Sequence, residues 1–163
     1  MEPKISNSNS IIPMIEEYAH QISQWKYDGI FSFYNPSQED SDELMDGTYF
    51  VCIDQNEMLI GNYCFGKNAR IPTVEENVYD DGFLDIGLGL KPDLCGKGYG
   101  LSFFIDGLKF AQKTFNTNDF RLSVATFNER AIKVYKKAGF YIEHEVTNSY
   151  YDNKFFIMKC KFI

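Results

Sequence analysis

The sequence predicts a single α/β domain, and three observations carry that expectation. Short apolar or alternating stretches read as strands at 83–91, 119–127, 139–147 and 150–162. Helical patterns at 98–116 and 129–138 alternate with them. No linker, repeat or low-complexity segment divides the 163 residues, so the expected domain spans 1–163 with a full core.

The elements follow in chain order. Residues 1–10 are polar and read as a disordered start. From Ile12 to Tyr27 an amphipathic helix is expected, with Ile15, Tyr18, Ala19, Ile22 and Trp25 near one stripe. Trp25 to Tyr34 is dense in aromatics and broken by Asp28-Gly29, and acidic Pro36 to Met45 suits one or two helical turns. Thr48 to Asp54 and Met58 to Gly66 alternate as a hairpin around Gln55-Asn56. A long, acidic, unpatterned loop then runs from Asn68 to Gly82.

On the strand at 83–91, Leu84, Ile86, Leu88 and Leu90 alternate onto one face as core. Asp85, Gly87 and Gly89 leave the other face nearly bare. Two glycines weaken a strand unless something approaches closely, and that something is either a tightly packed helix or a ligand. The next helix sets Leu101, Phe104, Ile105, Leu108, Ala111 and Phe115 on one stripe, which packs it against the sheet.

Bulk properties narrow the function. A formal charge of −7 argues against nucleic acid, whose affinity comes from neutralised phosphates. It either favours a cationic substrate or merely keeps the protein in solution. No run of eighteen apolar residues is present, so no membrane span is expected. The polar N-terminus lacks the basic start and apolar centre of a secretory signal. Cys52, Cys64, Cys95 and Cys160 show no C-x-x-C and have only His20 and His144 beside them in the composition. That spacing argues against a zinc site, no metal is expected, and scattered thiols without pairing cues suit a reducing cytoplasm.

The most informative stretch is Pro92-Asp93-Leu94-Cys95-Gly96-Lys97-Gly98-Tyr99-Gly100, between a strand and a helix. There the first helical turn offers unpaired N–H groups and a positive dipole end, and glycines let a ligand approach the main chain. The P-loop pattern is absent, and the dinucleotide fingerprint would put its third glycine on Leu101. Taken alone, the three glycines could equally be a turn. A second motif follows at Asn128 to Phe140. Asn128 can cap a short helix, Glu129 and Lys136-Lys137 suit its two ends, and Gly139 supplies the left-handed exit before Phe140. Ala131, Tyr135 and Ala138 share a face that makes a poor core but a good slot for a slim ligand.

Strand, P-x-x-x-G-x-G-x-G, helix, strand, then N-x-x-A-x-x-x-Y-x-x-x-G-F resembles the acetyl-CoA core of the GCN5-related N-acetyltransferases, over roughly residues 83–147. The resemblance implies a mixed, mostly antiparallel central sheet flanked by helices, and acetyl-CoA as co-substrate. It implies that the turn Cys95, Gly96, Lys97, Gly98, Tyr99, Gly100 and Leu101 receives the diphosphate, and that pantetheine runs beside Leu88, Gly89 and Leu90. Asn128, Ala131 and Tyr135 complete the expected cofactor set. One departure is Cys95, where the family usually has Arg or Gln; phosphate binding then leans on backbone amides and Lys97.

Acetylating an amine needs a neutral amine, a donor for the tetrahedral oxyanion and a proton for the departing thiolate. By resemblance Tyr135 is the general acid, or otherwise an ordinary buried aromatic, and an amide near Leu90 the oxyanion donor. Asp85 is the candidate base, although the family's frequent strand glutamate would fall nearer Leu84; a water wire or an acid from Glu75 to Asp81 are the alternatives. Cys95 is expected at the diphosphate, too far from the thioester to be a nucleophile. The expected acceptor is a primary amine of a small molecule or a peptide or protein N-terminus, recognised from Trp25 to Tyr34, the acidic loop and the C-terminal hairpin. A non-catalytic acyl-CoA-binding module is the alternative, and a homodimer is left open.

Overall fold

The computed structural model describes residues 9–36 and 42–163. Its strands follow the order β1-β2-β3-β4-β5-β7-β6: β1 Ser10–Pro13, β2 Tyr49–Ile53, β3 Leu59–Phe65, β4 Leu84–Leu90, β5 Asp119–Ala125, β6 Tyr141–Thr147 and β7 Lys154–Lys161. The helices are α1 Glu16–Ser23, α2 Gly100–Phe115 and α3 Glu129–Lys137. This is the mixed α/β class expected. The described residues gather into two compact units, those up to residue 64 with 88–103, and 65–87 with 104–163.

The first unit is built on the antiparallel β1–β2 and β2–β3 pairs. Tyr49-Phe50-Val51-Cys52-Ile53 is aromatic and β-branched, which suits a half-buried pleated strand. Asp54 closes the hairpin, its buried carboxylate accepting from the amides of Asn56 (2.8 Å) and Met58 (3.0 Å). Met14, Tyr18, Ala19, Ile22, Leu44, Val51, Ile53 and Leu59 form the core beside them. The helix expected from Ile12 starts later, at Glu16. Ile12 and Pro13 instead pair with Val51 and Phe50. A residue before proline is pushed out of the helical region, and here it extends β1. The helix also stops at Ser23, short of Tyr27. Of the acidic segment expected at Pro36 to Met45, residues 37–41 lie outside the described residues, and Glu43–Met45 forms a single 3-10 turn.

In the second unit β4 pairs parallel with β5 through Leu84↔Phe120 and Asp85↔Arg121. β5–β7 and β6–β7 are antiparallel. Val78, Ala125, Val146, Phe155 and Ile157 form one of its apolar clusters. The last strand, expected from residue 150, begins at Lys154. Residues 148–153 make the turn, because the Asn148 side chain accepts from the amides of Tyr150 (2.9 Å) and Tyr151 (3.2 Å). The acidic loop is tied down at Thr73↔Asn148 and by Glu75, whose carboxylate accepts from the Thr147 amide at 2.8 Å.

Burial on β4 differs from simple alternation. Ile86 is buried, Leu84, Leu88 and Leu90 are half-buried, and Asp85 on the opposite face is 1% exposed. The reason is a charged cluster described below. On α2, Phe103, Phe104, Leu108 and Ala111 are buried, whereas Phe115 at the end of the expected stripe is exposed.

Candidate active site

In the first unit the turn expected to hold phosphate is assembled from the end of β4 onward. Pro92–Leu94 forms a 3-10 turn closed by Leu94 N–H to Lys91 O (2.9 Å) and Cys95 N–H to Pro92 O (3.1 Å). Gly96 and Gly98 follow at φ +72° and +85°, the left-handed region that glycine occupies without strain. Gly96, Lys97, Gly98 and Tyr99 are exposed, and a Cβ on Gly98 would meet nothing within 4 Å. The backbone here is therefore open to a ligand. The α2 ladder begins with Phe103 N–H to Tyr99 O at 3.1 Å. The amides of Gly100, Leu101 and Ser102 precede it, where an α-helix offers them no internal acceptor.

What fixes this helix start is Phe103. Its ring stacks on Tyr63 at 4.6 Å, and its carbonyl accepts the Tyr63 hydroxyl at 2.6 Å. Gly61 makes room: a Cβ there would lie 2.5 Å from the Phe103 ring and 2.6 Å from Gly89 O. The close approach that β4's glycines suggest is thus met at Gly89 by β3, with the Asn62 amide 3.3 Å from where a Gly89 Cβ would stand. The Cys95 thiol turns back into the loop, 3.6 Å from the carbonyl oxygens of Leu90 and Lys91.

In the second unit α3 forms as its punctuation predicts. The Asn128 side chain accepts from Ala131 N–H at 3.2 Å, Gly139 sits at φ +104°, and Phe140 N–H reaches Tyr135 O at 3.0 Å. Tyr135 is half-buried and meets Phe104 edge-on at 4.8 Å. Ala131 on the same helix and Ala138 at its C-terminal cap are half-buried.

Asp85 lies in the same unit, in a cluster that sequence reading missed. Arg121, whose side chain is wholly buried, grips it with two bonds, Nε to Oδ1 (2.7 Å) and Nη2 to Oδ2 (2.8 Å). Arg70 Nε adds a third at 2.8 Å. The remaining Arg121 nitrogen reaches Asp80, at its carbonyl (2.8 Å) and carboxylate (3.0 Å). Lys159 bridges Asp80 (3.2 Å) and Glu143 (2.7 Å). Tyr79 lies under both guanidinium groups, 5.1 Å and 5.2 Å from its ring centre. Burial raises the Tyr79 phenol above its usual range although Ser123 and the Ile71 amide bond to it. The one available signal was Arg121 itself, a charge inside the apolar run Phe120 to Ala125. Tyr27 was also missed: its hydroxyl donates to Leu90 O at 2.8 Å.

A family model described as an acetyltransferase (GNAT) domain matches residues 14–141, most of the chain. The chain belongs to the GNAT family. It is therefore an acetyl-CoA-dependent N-acetyltransferase. Among solved structures, a GNAT-family acetyltransferase from Bacillus anthracis is similar at TM-score 0.72 and 16% identity, covering 99% of this chain and 98% of that one. A chimera of the Vibrio cholerae spermidine N-acetyltransferase SpeG and hSSAT aligns at TM-score 0.72 and 16% identity, over 95% and 96% of the two chains. The V. cholerae spermidine N-acetyltransferase in complex with CoA and spermine aligns at TM-score 0.63 and 15% identity, over 94% and 95%. At these identities the likeness is one of fold. No curated protein sequence matches the chain. Among the described residues of this GNAT protein, no helix is long and apolar enough to cross a membrane, and no three His, Cys, Asp or Glu side chains cluster to hold a metal.

Proposed function

We propose that this chain transfers the acetyl group of acetyl-CoA to a primary amine of a small molecule or a protein N-terminus, by direct attack in a ternary complex. The observation that supports this reading most is the open turn with Gly96 and Gly98 at positive φ ahead of α2. There amides and Lys97 would hold the diphosphate. Cys95, turned toward the Leu90 and Lys91 carbonyls, would add no donor. Leu88, Gly89 and Leu90 would run beside pantetheine, and Asn128 and Ala131 would border the cofactor on α3.

In the transfer step the neutral amine attacks the thioester carbonyl, and an amide near Leu90 steadies the oxyanion. The carbon–sulfur bond then breaks, and the thiolate takes a proton from the Tyr135 hydroxyl. We read Asp85 as an anchor for Arg121 and Arg70, not as the base. Its two oxygens already accept three guanidinium bonds, so its acceptor positions are taken up by Arg121 and Arg70. The amine's proton then leaves through water. Neighbours named as spermidine N-acetyltransferases, together with the −7 charge, put cationic amines first among acceptors to try.

The test follows free CoA thiol over a panel of polyamines, simple amines and peptides, for the parent chain and Tyr135→Phe. We expect the variant to lose about 10²-fold in turnover with CoA affinity unchanged. Equal turnover in both proteins removes Tyr135 from the acid role. Tight CoA binding with no amine acetylated by the parent favours an acyl-CoA-binding module, toward which only Cys95 leans.

A further inference from the structure

The end of β4 is held at three successive points, all within the first unit. The carbonyl of Gly89 lies so close over Gly61 that a Cβ there would stand 2.6 Å from it. The Leu90 carbonyl accepts the Tyr27 hydroxyl at 2.8 Å. The Lys91 amide donates to Ile60 O at 2.9 Å. The last two bonds grip both polar ends of one peptide unit, and because that unit is planar they fix its orientation together. Between these holds sits the Leu90 amide.

We propose that Tyr27 is a positioning residue for acetyl transfer, its hydroxyl locking the Leu90–Lys91 peptide so that the Leu90 amide meets the developing oxyanion. This rests on the transfer reading given above. An oxyanion donor is effective when it is already aimed at the charge that develops, so freedom of this one peptide costs rate far more than binding. Tyr27 suits the task. Its ring is half-buried, and burial, with the nearby Cys95 thiol, pushes its phenol well above the usual range, so it stays a proton donor at any working pH. The residue is itself fixed, since its amide donates to the Asn35 side chain at 2.6 Å and closes the loop 27–35. Cys95 Sγ, at 3.6 Å from the same Leu90 carbonyl, is too weak a donor to replace it.

Tyr27→Phe keeps the ring and removes only the hydroxyl. We expect kcat to fall about tenfold for every accepted amine, the worth of one buried hydrogen bond, with unchanged acetyl-CoA Kd and a melting temperature lowered by only about 2–4 °C. Amide exchange at Lys91, followed by NMR, should quicken in the variant. Unchanged kcat overturns the proposal, and so does a matching loss of CoA affinity, which would mark a general structural role. A parent protein that acetylates nothing overturns the transfer reading instead, and unchanged Lys91 exchange in the variant then overturns the anchor as well.

Discussion

The turn before α2 and the cluster around Arg121 manage polar groups in opposite ways. The turn offers main-chain amides to the outside, with Gly96 and Gly98 leaving the backbone bare between exposed Lys97 and Tyr99. The cluster takes charged side chains inside and matches them to one another: Arg121 and Asp85 are 0% and 1% exposed and share a two-bond grip. A backbone site is specified by what must be missing, the Cβ atoms of Gly96 and Gly98. A side-chain site is specified by what must be present on several strands and loops at once. The first tolerates any exposed neighbour, and the second fails if one member is removed.

The cluster side of the comparison should show the larger effect. Arg121→Met keeps the volume of the side chain but leaves the buried Asp85 carboxylate with Arg70 alone. Breaking a buried ion pair from one side costs about 3–5 kcal/mol, so chemical denaturation should show a loss of that size. Adding Asp85→Asn to the same protein should recover part of it, because the stranded charge is then gone. A single variant as stable as the parent would make the cluster ornamental and erase the contrast.

That difference also explains what could be read from the sequence. Gly96, Gly98 and Gly100 stand close together, as do Asn128, Tyr135 and Gly139, so both motifs and their helices were legible from spacing. The hairpin of β2 and β3 and the order of later elements were legible from patterning. Arg70, Asp80, Asp85, Arg121 and Lys159 are scattered over ninety positions and meet only through strand pairing and the loop's path, so no local pattern announced them. The β1 strand was hidden for a different reason. Ile12 and Pro13 precede a strong helical pattern, and the proline's effect on its predecessor was outweighed by the run of apolar residues that follows. Tyr27 lay in an aromatic stretch where nothing singled out one hydroxyl.

On the turn side, Gly98→Val adds a branched side chain where φ is +85° and the space is open. The folded chain should tolerate this with a cost of about 1–2 kcal/mol, the usual penalty for a side chain in the left-handed region. CoA affinity measured by calorimetry should fall much further, on the order of 10³-fold or about 4 kcal/mol, because the side chain occupies the ligand's approach. Normal affinity would move the phosphate site elsewhere and leave the turn as a turn.

The smallest effect concerns thiol chemistry, and it separates the two regions without altering either. Cys52, Cys64 and Cys160 are all within 5% of full burial, whereas Cys95 in the turn is half-exposed. Burial pushes the Cys64 thiol up to about 11 and raises Cys160 as well. At pH 8 a thiol titrating near 11 is thiolate in roughly one molecule per thousand, and only the thiolate reacts. Iodoacetamide followed by mass spectrometry should therefore mark Cys95 first, with Cys64 and Cys160 reacting only as the chain opens. Saturating CoA should slow the labelling of Cys95 by a few-fold, since a ligand on the neighbouring amides restricts the reagent's approach while the thiol itself faces the Leu90 and Lys91 carbonyls. Labelling of Cys160, next to Lys159 on β7, as fast as Cys95 in the native protein would mean that the second unit opens as readily as the turn, and the division between an exposed backbone site and a sealed side-chain cluster would fail.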